Sequence, residues 1–132
     1  MRSGILVLIL ALVPALGCQG ELKQRTQSTQ HMKALDRAIH RYLEENGSWP
    51  KSFDDAAPFL GKATELDATN DKDLAALLKN PLTGDAPGYE YVNPEGEKAD
   101  PNGIVIYQLR NGKRDESLLA THRDGRILKS GE

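Results

Sequence analysis

The stretch that decides the fold is MKALDRAIHRYL, residues 32–43. Its apolar side chains recur every three or four positions and therefore share one helical face; they are Met32, Leu35, Ile39, Tyr42 and Leu43. Either Ser28 or Thr29 can cap the start of this helix, and Gly47 can supply the left-handed residue that ends it. The pattern predicts a long amphipathic helix, which needs a partner surface for its apolar face.

Beyond Pro81 the apolar residues change to a period of two, which is typical of strands. The predicted strands are residues 89–92, 104–109, 117–122 and 126–128. Asn111-Gly112 and Asp124-Gly125 are typical of tight hairpin turns. Because the helix can bury its apolar face only against this sheet, the sequence predicts an α+β domain. In it, a long N-terminal amphipathic helix packs on a small antiparallel β-meander.

Two short helices are predicted between the long helix and the sheet. The first opens with a capping box at residues 52–55, and Pro58 limits it to about two turns. The second is capped by Asn70 or Asp71 and ends at Asn80-Pro81. Its predicted inward-facing residues are Leu74, Leu77 and Leu78.

The order of these elements and their turn residues resemble the soluble domains of type IV pilin-like proteins, especially the pseudopilins of type II secretion. The resemblance is carried by ENGSWPKSF at residues 45–53, NPLTG at 80–84, YEYV at 89–92 and THRDGRI at 121–127. It spans residues 31–130 and implies a pilin-like globular fold. It does not extend to the family's processing site, because Leu8 stands where that site has a glutamate. Filament assembly is therefore not implied.

Residues 1–17 have the organisation of a secretory signal peptide. Arg2 supplies a positive charge, an apolar run follows as far as Val13, and small residues come next. A transmembrane helix needs about 20 apolar residues. This run is shorter, and Pro14 interrupts it. The segment is therefore expected to direct export and to be removed.

The sequence ALGC at residues 15–18 resembles the bacterial lipobox, which implies lipidation of Cys18 and cleavage before it. Two or three acyl chains, palmitate among them, would anchor the chain stably to a membrane. Gln19 resembles the following residue of lipoproteins that move to an outer membrane, on its periplasmic side or surface. An ordinary signal peptide with an incidental cysteine is the alternative. The predicted organisation is a signal peptide at 1–17, a lipid anchor and polar spacer at 18–30, and a domain at 31–132.

Length and composition limit the functions that remain. The 132 residues have a formal net charge of −2 and suffice for one domain. Positive and negative charges are interspersed, so nucleic-acid binding has no basic patch to support it. Because Cys18 is the only cysteine, no disulfide can form within the chain.

One loop contains candidate metal ligands. Residues Glu95, Glu97, Asp100 and Asn102 precede the strongest predicted strand, and oxygen ligands of this kind suit calcium. Their spacing matches no defined calcium motif, so a solvated polar loop is the alternative interpretation.

The histidines and hydroxyl residues give no recognisable catalytic pattern. His31 and His40 are nine residues apart, which puts them on opposite helix faces. Together with His122 they are interpreted as solvated residues rather than metal ligands. The remaining catalytic candidates lie close in sequence but lack a nucleophile motif: Ser117, His122, Asp124 and Ser130.

The sequence therefore favours a non-enzymatic, lipid-anchored envelope protein with a structural or interaction role. Its expected partners are the membrane, through lipid on Cys18, and a protein assembly of the envelope. The alternatives are a calcium- or small-ligand-binding module, a hydrolytic enzyme, and an uncleaved pseudopilin of a type II secretion-like system.

Overall fold

The computed structural model describes residues 2–61 and 73–129, with side chains from residue 20 onward. The helices are α1 (Arg2–Asn46), α2 (Phe53–Ala56), a 3-10 turn (Ala57–Phe59) and α3 (Leu74–Leu78). The strands are β1 (Tyr89–Tyr91), β2 (Ile104–Arg110), β3 (Lys113–Arg114), β4 (Leu119–His122) and β5 (Ile127–Lys129). A long helix followed by short helices and an antiparallel sheet confirms the predicted α+β class.

The sheet has the order β1-β2-β4-β5, and β3 pairs with the end of β2. All neighbouring strands are antiparallel. Asn111 and Gly112 have positive φ angles of 55° and 76°, which confirms the predicted tight turn. The predicted strand at 117–122 begins too early, however. Ser117 lies in a turn, where its backbone N–H and hydroxyl both donate to the carboxylate of Asp115.

The apolar face of α1 packs against the sheet and the short helices. Met32, Leu35 and Ile39 are at most 1% exposed and share a core with residues of β2 and α3, including Val105, Ile106 and Leu77. Each such side chain contributes about 1.5–3 kcal/mol through burial. The predicted stripe is thus confirmed at its centre, while Tyr42 and Leu43 are only partly buried. Trp49 also belongs to this core.

The start of α1 differs from the prediction. Ser28 does not cap the helix but lies inside it, 1% exposed, and contacts the sheet. The helix therefore crosses residues 30 and 31, the predicted boundary between spacer and domain, without a break. Its other end agrees with the prediction, because Gly47 has a φ of +72° and its N–H donates to the carbonyl of Leu43.

Both short helices form; Ser52 is the N-cap residue of α2 as predicted, whereas α3 has a cap other than the two predicted. The Ser52 side chain makes no capping hydrogen bond; instead, the backbone N–H of Lys51 donates to the carboxylate of Asp55. For α3 the cap is Asp73, which accepts from the N–H of Ala75. The predicted caps Asn70 and Asp71 lie outside the described residues. The three predicted inward-facing leucines do contact the core: Leu74, Leu77 and Leu78.

Candidate functional site

The predicted lipid site, Cys18, lies within α1, but its side chain is outside the described residues, as are those of the predicted signal peptide. The described side chains at 20–26 are all exposed, including Leu22 at 66%. Packing against the sheet starts near Ser28, so α1 extends roughly 10 Å from residue 20 before it reaches the domain. Within the described residues, no helix is both long and apolar enough to cross a membrane.

A buried neutral group of side chains attaches the start of the packed part of α1 to the sheet; its members are Ser28, Asn80, Tyr89 and Gln108, all at most 3% exposed. We call it the Gln108 network. The Ser28 hydroxyl donates to Gln108 Oε1 at 2.7 Å, and Asn80 Nδ2 donates to the same oxygen at 3.1 Å. Gln108 Nε2 donates to the carbonyl of Leu119 on β4. The network therefore connects α1, β2 and β4 through hydrogen bonds that are shielded from water.

Tyr89 completes the Gln108 network. Its hydroxyl lies 3.1 Å from Ser28 Oγ and 3.3 Å from the Ser28 carbonyl oxygen, to which it donates. Burial raises the pKa of Tyr89 well above its ordinary value, so the phenol stays neutral. No member of the network carries a charge at neutral pH, and its hydrogen bonds therefore position α1 without depending on pH.

A second, charged group lies further along α1; we call it the His40 cluster, formed by Asp36, His40, Trp49 and Arg123. His40 Nδ1 is 2.9 Å from the Asp36 carbonyl oxygen and 3.2 Å from Asp36 Oδ1. His40 Nδ1 therefore lies within hydrogen-bonding distance of two oxygens of Asp36, one of the backbone and one of the carboxylate. His40 Nε2 is 3.3 Å from the carbonyl oxygen of Arg123. The imidazole thus connects α1 with the turn between β4 and β5.

The surroundings of His40 favour its protonated form. The hydrogen bond and charge of Asp36 raise the pKa of His40 to about 9, against the opposing effect of burial. The ring also packs edge-on against Trp49, with 5.5 Å between centroids. Gly125, with a φ of +87°, lies beside this carboxylate, since a Cβ there would be in ordinary contact with Asp36 Oδ2 at 3.6 Å. Asp36 itself is buried, with 9% of its surface exposed.

The interpretation of the histidines as solvated is wrong. His31 Nδ1 lies 3.1 Å from the carbonyl oxygen of Leu77, and both ring nitrogens of His40 are engaged. His122 is 7% exposed, and its buried Nε2 has no hydrogen-bond partner in the described part of the chain. Each histidine therefore packs in a different place.

The structure does not gather the candidate calcium ligands. Glu95 lies 3.7 Å from the guanidinium of Arg123, and the hydroxyl of Tyr107 donates to the Asp100 carboxylate. Burial and this acceptor raise the pKa of Tyr107 to about 12. Glu97 and Asn102 are exposed. Across residues 20–61 and 73–129, no three acidic, histidine or cysteine side chains lie close enough together to hold a metal ion.

The catalytic candidates are likewise engaged elsewhere. The hydroxyl of Ser117 donates to Asp115 rather than to a histidine, and this hydrogen bond lowers the pKa of Asp115. Asp124 accepts from Arg126 in its own turn. Ser130 lies outside the described residues. The described geometry thus assembles no Ser–His–Asp arrangement from these residues.

The structure has a surface cleft that the sequence did not predict. A cleft of about 150 Å³ lies between α1 and the β4–β5 edge, and its wall includes Arg25, Leu82, Leu119 and Lys129. Its residues are far apart in sequence, so only the strand register could have indicated it.

No family model matches the chain, and neither a curated protein nor a solved structure is significantly similar to it.

Proposed function

We propose that the protein is a non-enzymatic, lipid-anchored component of the bacterial cell envelope, whose pilin-like domain has a structural or interaction role. The single observation that carries this proposal is the unbroken helix α1, which includes Cys18 and then packs into the domain. The order of helix, short helices and antiparallel sheet also supports the pilin-like assignment.

Helix α1 would set the orientation of the domain relative to the membrane. Cys18 precedes Ser28 by ten residues, which corresponds to roughly 15 Å along a helix. The Gln108 network then fixes the orientation of the helix on the sheet. A rigid arm of this kind suits a protein that presents a surface to neighbouring envelope components, whereas a flexible tether would leave the position and orientation of the domain variable.

Lipidation is tested by metabolic labelling with palmitate and by the intact mass of the mature protein. The wild-type chain should incorporate label and begin at Cys18 with acyl chains attached, and Cys18→Ser should lose the label. Label that persists in Cys18→Ser would refute the anchor. An unacylated chain that retains residues 1–17 would favour the alternative of an uncleaved pseudopilin.

The structural role of the arm is tested by breaking it. Gln24 is exposed on the part of α1 that precedes the sheet, so Gln24→Pro should interrupt the helix and leave the core intact. In cells, chemical cross-links between the domain and its envelope neighbours should change in Gln24→Pro and persist in the matched control Gln24→Ala. Identical cross-links in both variants, with lipidation retained, would contradict a positioning role for the helix.

A further inference from the structure

Helix α1 and strand β2 run in opposite directions, which defines two ends of the domain. At one end, Gln108 near the finish of β2 binds Ser28. At the other, Gly103 just before β2 accepts from the N–H of Arg123, whose own carbonyl contacts His40. The end marked by Ser28 and Gln108 is the one from which α1 leads back to Cys18.

Three lysines lie at that end. Lys23 is about 7.5 Å beyond Ser28 along α1, and Arg110, which pairs with Lys113, is about 7 Å beyond Gln108 along β2. Lys129 pairs with Leu119, whose carbonyl accepts from Gln108. Strand register and helical rise therefore place Lys23 and Lys113 about 7 Å beyond the level of Ser28 and Gln108, and Lys129 at that level.

These lysines are free to meet an external anion. All three are exposed, and none of their ammonium groups makes a hydrogen bond or ion pair with the described residues. The arginines nearby differ, because Arg25 pairs with Glu21 and Arg110 pairs with Asp115. Asp85, whose carboxylate accepts from the N–H of Gly112, and Glu116 also lie beside Lys113, so the three lysines outnumber these two carboxylates at this end, although the whole chain has a net charge of −2.

The same end carries exposed apolar groups. In the described part of the chain, the large hydrophobic side chains that are exposed are Leu22 at 66% and Leu119 at 37%. Leu22 lies on the α1 face of Arg25, three residues away, and Arg25 and Leu119 line one cleft. Exposed leucines beside unpaired lysines are the combination found on surfaces that lie in a membrane interface.

We propose that this end, the helix-entry surface formed by Leu22, Lys23, Lys113, Leu119 and Lys129, lies on the headgroups of anionic lipids. The inference rests on the proposed lipidation of Cys18. Cys18 is five residues from Lys23, about 7.5 Å of helical rise, which is within the Debye length of about 8 Å at physiological ionic strength. Lys23 and Lys113 would therefore experience the negative surface potential of such a membrane most strongly, and Lys129, about 7 Å farther away, less. Each of the first two should favour the docked state by roughly fivefold.

The test uses the mature lipidated protein, reconstituted into bilayers of phosphatidylcholine. A second set of bilayers contains about 30% phosphatidylglycerol as the anionic lipid. Amine acylation of each lysine is followed by mass spectrometry. Labelling of Lys23, Lys113 and Lys129 should be several-fold slower in the anionic bilayers, and the difference should vanish in high salt. Exposed Lys33 and Lys51, further from Cys18, should label equally in both. Equal rates for all lysines in both bilayers would overturn the proposal.

Charge reversal provides the matched comparison. Lys113→Glu with Lys129→Glu should abolish the lipid-dependent protection of Lys23, whereas Lys33→Glu with Lys51→Glu, the same change in net charge, should preserve it. Loss of protection in both double variants would attribute the effect to net charge and contradict a specific surface. The intact mass before reconstitution reports lipidation separately, so failure of the anchor is distinguishable from failure of the surface.

Discussion

Helix α1 is attached to the rest of the domain at two places that differ in chemistry. The Gln108 network is neutral and at most 3% exposed, whereas the His40 cluster contains an ion pair whose imidazole is 32% exposed. Ser28 and His40 are twelve residues apart, about 18 Å along the helix. One helix is thus held by buried hydrogen bonds near Ser28, its proximal attachment, and by partly solvated charge near His40, its distal attachment.

The difference indicates how each attachment should respond to change. A buried neutral group that loses its partner keeps the full cost of desolvation, about 1–3 kcal/mol. A partly exposed ion pair is screened by water and contributes less. The proximal attachment should therefore dominate stability at every pH, while the distal one should make stability depend on pH.

The largest effect is expected from Gln108→Leu, a change of similar volume. It removes the hydrogen bonds to Ser28, Asn80 and the Leu119 carbonyl and leaves those groups buried without this partner. We expect a loss of about 3–4 kcal/mol in the free energy of unfolding, measured by urea denaturation. The loss should be the same at pH 6 and pH 9.5. The same substitution at exposed Gln24 should change stability by less than about 0.5 kcal/mol.

A loss of under about 1 kcal/mol in Gln108→Leu would mean that the network is not the principal attachment of α1. A loss that differs strongly between the two pH values would contradict its neutral character.

The next largest effect is expected from His40→Gln, and it depends on pH. The pKa of His40 is raised from 6.5 to about 9 in the folded protein. Below pH 6.5 the stabilisation is fully present; between pH 6.5 and 9 it declines, because the folded state retains a proton that the unfolded state has released; above pH 9 it is lost. His40→Gln should therefore cost about 1–2 kcal/mol at pH 6, with allowance for solvent screening, and little at pH 9.5.

Denaturation midpoints measured across this pH range test the prediction. Asp36→Asn keeps the shape of the side chain and removes its charge, so it should flatten the same interval of pH. If Asp36→Asn leaves the pH dependence of wild type intact, the ionic contact is not its source.

The sequence predicted the elements that depend on local patterns and missed the contacts that join them. Apolar spacing was sufficient for the core of α1 and for β2, and the Asn111-Gly112 turn followed from the conformational preference of its residues. Neither attachment could be predicted in this way, because Ser28 is 80 residues from Gln108 and His40 is 83 residues from Arg123. Such contacts depend on how strands register beside the helix.

Ser28 illustrates why local chemistry can mislead. Serine is favoured at helix starts because its hydroxyl can accept from a free backbone N–H. Here the helix continues through it, and the hydroxyl instead donates to a buried amide on β2. The signal that could have indicated this role is Gln108 itself, a polar residue within the most apolar predicted strand.

A smaller effect is expected from Ser28→Ala, which removes one hydroxyl from the Gln108 network and leaves hydrogen bonds between other members in place. Tyr89 keeps the Ser28 carbonyl as acceptor, and Gln108 keeps Asn80 as donor. Alanine also has a slightly better helix propensity. We therefore expect a loss of only about 0.5–1 kcal/mol. In a double-mutant cycle with Gln108→Leu the two losses should not add, because they share one hydrogen bond; additive losses would contradict the contact.

The smallest effect is expected from Arg123→Ala at the distal attachment. The guanidinium lies 3.7 Å from Glu95, with both side chains more than half exposed, and 5.6 Å from the centre of the Trp49 ring. Such exposed contacts are each worth less than about 1 kcal/mol. His40 uses the backbone carbonyl of Arg123, which the substitution retains. Arg123→Ala should therefore lower stability by about 0.5 kcal/mol or less and preserve the decline between pH 6.5 and 9. If that decline disappears, the guanidinium rather than the carbonyl controls the histidine, and the distal attachment is a network of side-chain charges.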